Sequence, residues 1–140
     1  MGAAEHAASK SKDRSTKVGA IIVGPDNESL VTGFNGFPRG VNDDVAERHE
    51  RPTRYAFVIH SEANAILAAA RRGLPTKGCR IYVSKFPCAS GAGMIVQVGL
   101  TEVVCREIQV DDSFNERWAE EHTIARTILR EGGVKVRFIT

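Results

Sequence analysis

From Ser61 onward the chain alternates between helical and strand periodicity, and that alternation limits the folds open to it more than any other feature. Ala63, Ile66, Leu67 and Ala70 recur at helical spacing across Ser61 to Arg72, predicting an amphipathic helix stopped by Gly73, with Pro75 just beyond. Arg80 to Ser84 predicts a short strand. Pro87 opens a helix reaching about Val98, ended by Gly99, and Thr101 to Cys105 predicts the next strand. A last helix, roughly Phe114 to Glu131, carries Ile124, Ile128 and Leu129 on one side and stops at Gly132-Gly133. Val134 to Ile139 closes as a strand. Strands separated by helices in this way lie parallel, with helices on both sheet faces.

The first half is less regular. Ala3, Ala4, Ala7 and Ala8 favour a short opening helix. Val18 to Val23 is a largely β-branched run closed by the turn Gly24-Pro25-Asp26-Asn27, and Leu30 to Phe34 returns as the second strand of a hairpin. From Asn35 to Arg54 the chain is polar and punctuated by Gly36, Pro38, Gly40 and Pro52, which predicts a long loop of the kind that carries function. The expected order is α-β-β-α-β-α-β-α-β. At 140 residues, with no internal repeat or linker, it reads as one domain over 1–140.

Nineteen basic residues against seventeen acidic ones leave a net charge of +2, too balanced for a polyanion binder driven by bulk charge. Aromatic residues are 6% of the chain, little material for a base-stacking platform. Polymeric nucleic acid is therefore not an expected partner. No apolar run approaches the ~18 residues a membrane span needs, and no leader opens the chain, so a cytoplasmic, membrane-free protein is expected. Cys79, Cys88 and Cys105 are then reduced thiols: buried, reactive or metal-bound.

His60-Ser61-Glu62 and Pro87-Cys88 stand at the starts of two predicted helices. A helix start offers unpaired N–H groups and partial positive charge, which favour a thiolate over a thiol. Two such starts meeting at one sheet edge would unite an imidazole, a carboxylate and a thiolate. That set suits a zinc ion that acidifies a water beside a carboxylate that carries its proton. Singly, each residue has a structural explanation: a capping histidine, a solvated first-turn glutamate and a core cysteine.

The motifs His60-Ser61-Glu62-Ala63-Asn64-Ala65-Ile66, Pro87-Cys88 and Ile95-Val96-Gln97-Val98-Gly99-Leu100 resemble the zinc-dependent cytidine deaminase superfamily. Ser11 to Ala20, and above all Gly33-Phe34-Asn35-Gly36-Phe37-Pro38-Arg39-Gly40, are similar to its deoxycytidylate (dCMP) deaminase branch. The resemblance covers about Ala4 to Phe138 and implies a three-layer α/β/α sandwich around a five-stranded mixed sheet. It implies hydrolysis of dCMP to dUMP by a zinc-activated water, with Glu62 as proton shuttle and His60 and Cys88 as zinc ligands. Asn35 is implied to hold the nucleotide sugar, and Arg39 follows in the same loop, placed for a phosphate. Ser61 is either a helix-start residue or a substrate contact. A homo-oligomer, responding to dCTP and dTTP, is implied as well.

One departure stands out. The family pattern is Pro-Cys-x-x-Cys, and here Pro87-Cys88-Ala89-Ser90-Gly91 has glycine in place of the second thiolate. Cys79 lies a strand's length from Cys88 and is out of reach. Cys105 ends a strand at the appropriate sheet edge, and His49 lies in the long loop; these are the remaining candidates for a third ligand. The alternative function is a non-catalytic deoxynucleotide-binding or regulatory protein on the deaminase fold.

Overall fold

The computed structural model describes residues 1–106 and 116–140. Its elements are α1 (Gly2–Ala8), β1 (Gly19–Val23), β2 (Ser29–Phe34), a 3-10 turn (Ala46–His49), α2 (Arg54–Phe57), α3 (Ser61–Arg72), β3 (Arg80–Val83), α4 (Ala89–Gln97), β4 (Glu102–Arg106), α5 (Glu116–Glu131) and β5 (Lys135–Ile139). The expected order holds with one correction. The polar stretch after Asn35 is not all loop, since the 3-10 turn and α2 fold within and just after it. The helix start expected at Phe114 lies outside the described residues.

The strands form one five-stranded mixed sheet in the order β2-β1-β3-β4-β5. Strand β1 is antiparallel to both neighbours, whereas β3, β4 and β5 are mutually parallel. Strands β2 and β3 therefore run the same way. The connections β2 to β3, β3 to β4 and β4 to β5 are then three crossovers through α3, α4 and α5, all stepping in one direction across the sheet. Right-handed crossovers that step one way place their helices on one face. The core shows this: Ala65, Ile66 and Ala69 of α3, Ala92 and Ile95 of α4, and Ala125 and Leu129 of α5 join Ala20, Ile22, Ile81, Val83 and Val103 in one buried cluster. The other face is covered by α1, where Ala4 packs with Ile21 and Val23. Helices do flank both faces, but unequally.

The buried side of α3 differs from the one expected. It consists of Ser61, Glu62, Ala65, Ile66 and Ala69, while Leu67 is 49% exposed. The reason is the closeness of β2. A Cβ on Gly33 would lie 2.4 Å from the Ala65 nitrogen and 2.5 Å from the Ser61 carbonyl oxygen. The contact turns the Ser61–Ala65 line of the helix toward β2, and Leu67, about 200° round the helix from Ala65, is left on the far side. In α5 likewise Ala125 and Leu129 are buried and Ile124 is exposed.

This contact seats the start of α3 on the sheet, and it yields a stability test. Gly33→Ala should lower stability by about 1–3 kcal/mol through overpacking. Gly36→Ala, where an added Cβ meets nothing within 4 Å, should change it far less. Urea denaturation midpoints measure both.

Candidate active site

His60 and Cys88 hold equivalent local positions. Each is the N-cap of its helix, α3 and α4 respectively, in extended conformation. Because β2 and β3 are parallel, the helices that follow them start at the same sheet edge. The Cys88 Sγ accepts the Gly91 N–H at 3.5 Å, so the thiol itself caps α4. Glu121 of α5 adds a second cap, its Oε2 accepting from the Ala89 nitrogen at 2.9 Å.

The two starts meet at one sheet edge and bring the three side chains together. His60 Nδ1 lies 3.3 Å from Cys88 Sγ. Glu62 Oε1 is 3.9 Å from His60 Nδ1 and 4.0 Å from Cys88 Sγ. The Glu62 side chain is 4% exposed, and the Ser61 hydroxyl donates to its other oxygen, Oε2, at 3.2 Å. The hydrogen bond with Cys88 raises the His60 pKa against the opposing effect of burial, and the Glu62 charge assists. Burial would raise the Cys88 pKa, but His60, the Ser90 hydroxyl and the Gly91 N–H outweigh it and hold the thiol below its ordinary value. Both shifts are in the direction of thiolate beside imidazolium, and a thiolate is the form that binds metal.

These donors suit zinc. Zinc takes imidazole nitrogen, carboxylate oxygen and thiolate sulfur at about 2.0–2.3 Å, which puts tetrahedral donors about 3.4–3.6 Å apart. The three separations, 3.3, 3.9 and 4.0 Å, are within half an ångström or so of that. Among the described residues, this is the one group of three or more such side chains placed to hold a metal.

Neither Cys105 nor His49 joins it. Cys105 does lie near the carboxyl end of β4, but its side chain faces the buried cluster beneath the helices, and burial pushes its pKa up to about 12. His49 stacks on Phe37 at 4.9 Å and bonds the Asp43 carbonyl, away from the site. Cys79, at the far end of β3, is a core thiol directed at the Pro75 carbonyl. Gly91 faces the site directly: a Cβ built there would lie 2.1 Å from Glu62 Oε1.

Above the group opens a cavity of about 420 Å³, within the usual range for small-molecule sites. Asn35 forms part of its wall and is buried. Its Oδ1 accepts from the Val18 nitrogen at 2.9 Å and its Nδ2 donates to the Thr16 carbonyl at 2.8 Å, so it clamps the segment that forms one side of the cavity. Ser61 lines the cavity too, with its hydroxyl directed at Glu62. Arg39 is placed elsewhere. The turn closed by Val41 on Pro38 carries it into a neighbouring cavity of about 270 Å³, with Lys10, Lys12 and Asp13.

The cationic rim of the main cavity consists instead of Arg51, Arg54 and Lys85, with Tyr55 and Trp118 beside them. Sequence reading missed these residues because they come from separate segments and form no motif. The Thr53-Arg54 helix start after Pro52 was the available signal for the first two. Arg54 is held by Asp13 at 2.6 Å, and Asp13 Oδ1 also accepts from the nitrogens of Ser15 (2.8 Å) and Thr16 (3.0 Å).

Known proteins resemble this chain along nearly its whole length. Residues 1–107 match the family described as the cytidine and deoxycytidylate deaminase zinc-binding region. An uncharacterised deaminase of Aliivibrio fischeri is 41% identical over 97% of this chain and 88% of its own. The deoxycytidylate deaminase of Mus musculus is 37% identical over 100% of this chain and 77% of its own. The dCMP deaminase of cyanophage S-TIM5, solved in apo form and with dCMP and dUMP, superposes with a TM-score of 0.77 at 27% identity, covering 99% of this chain and 92% of that one.

The Asp13–Arg54 pair should be measurable. Burial would raise the Asp13 pKa, but the Thr16 and Ser15 N–H groups and Arg54 outweigh it and hold the carboxyl below 3.8. A lowered carboxyl pKa stabilises the fold fully above the unfolded value, and that stabilisation is lost as pH falls through the folded one. Asp13→Asn should therefore cost about 2–3 kcal/mol at pH 7. The gap to the parent protein should narrow below about pH 4, as read from urea midpoints at both pH values.

Proposed function

The chain belongs to the cytidine and deoxycytidylate deaminase family, and from that premise we propose that it hydrolyses the 4-amino group of dCMP to give dUMP. The observation that carries this reading is the convergence of His60, Glu62 and Cys88 on the floor of a nucleotide-sized cavity with a cationic rim. His60 Nδ1 and Cys88 Sγ are the groups to hold zinc, which supplies the Lewis acidity that lets a water lose its proton near neutrality. Glu62 is the group to handle that proton. It receives it on a carboxylate oxygen, delivers it to ring nitrogen 3, and then serves the departing ammonia.

Asn35 supports a role beside the sugar. With one bond made at each polar atom, Nδ2 keeps a second hydrogen and Oδ1 a second lone pair, and the residue lines the cavity. Arg51, Arg54 and Lys85 suit a single phosphate, a demand consistent with the modest net charge of +2. Arg39 would reach that phosphate only by a rearrangement of its loop. We read residues 1–140 as one such domain, because a single sheet draws strands from both ends of the chain. No described helix is long and apolar enough to cross a membrane, which supports a cytoplasmic setting. We infer a homo-oligomer responding to dCTP and dTTP from the resemblance alone; light scattering above 15.2 kDa would support the oligomer, and a clean monomer would contradict it.

Gly91 favours a second reading, a deoxynucleotide-binding protein without turnover. Incubation with dCMP, deoxycytidine and cytidine separates the two: conversion of dCMP alone supports the deaminase, and binding of dCMP without dUMP formation supports the second. Lys85→Ala should weaken dCMP use by about 10–100-fold, the worth of one charge-assisted hydrogen bond, mainly through KM. Its effect on deoxycytidine should be small.

A further inference from the structure

We propose that in this chain Glu62 is itself a metal ligand, its Oε1 taking the place that a side chain at position 91 would otherwise occupy. The inference rests on the reading of this site as a metal centre and goes beyond it in assigning a different role to Glu62.

Three observations carry it. First, Oε1 stands 3.9 Å from His60 Nδ1 and 4.0 Å from Cys88 Sγ, so it belongs to the same donor cluster and does not stand off from it. Second, the ideal Cβ position on Gly91 lies 2.1 Å from Oε1 and 2.9 Å from Glu62 Cδ and Cγ. A carboxylate in that position excludes any side chain at 91, and a side chain at 91 would exclude the carboxylate. Third, the Ser61 hydroxyl, buried at the start of α3, donates to Oε2 at 3.2 Å. One oxygen is thus oriented from behind while the other faces the nitrogen and sulfur donors, the arrangement of a carboxylate binding through a single atom with an outer hydrogen bond fixing its orientation.

The charge balance is satisfied as well. A neutral imidazole, one thiolate and one carboxylate carry two negative charges, equal to a divalent zinc, and they leave the fourth tetrahedral position open. While Oε1 is a ligand, the proton-carrying role of Glu62 falls to Oε2, which already accepts from Ser61. The cost of seating the metal this way is a slower proton transfer, and a side chain at 91 should return Oε1 to that task.

The test is metal binding, by zinc per chain after equilibration and dialysis and by competition with a chromogenic chelator, with circular dichroism confirming that each variant is folded. The parent chain should hold one zinc. Glu62→Ala should lose affinity by about 100-fold or more, above the 10–100-fold that loss of an outer partner costs. Gly91→Ala should do the same, although alanine is the better helix former, because its Cβ displaces the carboxylate and brings no donor. Gly91→Cys should hold zinc, and should keep it when combined with Glu62→Ala. With cobalt(II) in place of zinc, the sulfur charge-transfer absorption should be that of one thiolate in the parent chain and about twice that in Gly91→Cys, where two thiolates bind.

If either Glu62→Ala or Gly91→Ala keeps parental affinity, the ligand role is overturned and the metal centre itself stands. Zinc in Gly91→Cys with none in the parent chain also overturns it. Zinc in neither would instead overturn the reading of the site as a metal centre.

Discussion

The direction in which the chain crosses its sheet is the constraint on which the site depends. After β2 each strand-to-strand step moves the same way, through β3 and β4 to β5, and each passes through a helix. Right-handed crossovers then stack α3, α4 and α5 on one face. Their starts follow the carboxyl ends of parallel strands, where α/β sheets present their ligand sites. His60 and Cys88 are 28 residues apart in sequence, yet each is the cap of one of these helices and their side chains meet at 3.3 Å. The antiparallel β1 does not interrupt this, because it lies between two strands that run the same way.

The depth of the site has a second cause, at Gly33. With no side chain there, α3 sits on β2 at backbone contact, and the helix positions facing the sheet are limited to Ser61, Glu62, Ala65, Ile66 and Ala69. Glu62 is consequently a buried carboxylate with a defined direction, where an exposed first-turn glutamate would sample many. The hairpin that carries Gly33 continues into Asn35, which clamps the Thr16–Val18 segment forming the wall opposite. One short stretch of chain therefore sets both the height of the floor and the shape of the wall.

Much of this was legible in the sequence, and what was not has specific physical causes. The strands and the bounds of α3 followed from periodicity and from Gly73, because those signals are local. The buried side of α3 did not. Counting apolar residues favours Leu67, whereas the side turned to the sheet is set where Ser61 and Ala65 meet β2, at a glycine 28 residues or more earlier in the chain. The convergence of His60, Glu62 and Cys88 was legible because two helix starts carry it. The rim of Arg51, Arg54 and Lys85 was not, because only the folded chain collects those residues. Arg39 belongs to the Gly33–Gly40 motif, yet the Pro38–Val41 turn carries it into a different cavity.

Glycine at 91 also bears on how α4 is held. Gly93 weakens the helix interior by about 1 kcal/mol relative to alanine, and Gly91 adds a second flexible residue in the first turn, so α4 is a poor helix by its own sequence. It is supported from outside, by the Cys88 and Glu121 caps at its start and by Ala92 and Ile95 in the buried cluster beneath. Because tertiary contacts and not propensity maintain α4, residue 91 is released from serving the helix and its identity is set by the site. There the choice concerns one carboxylate with two competing uses. A thiolate at 91 would leave both Glu62 oxygens available for proton transfer, whereas glycine lets Oε1 move in among the donors as a third ligand and leaves the fourth position open. The Ser61 hydroxyl on Oε2 favours the second arrangement, since it fixes the carboxylate in the orientation that directs Oε1 toward His60 and Cys88.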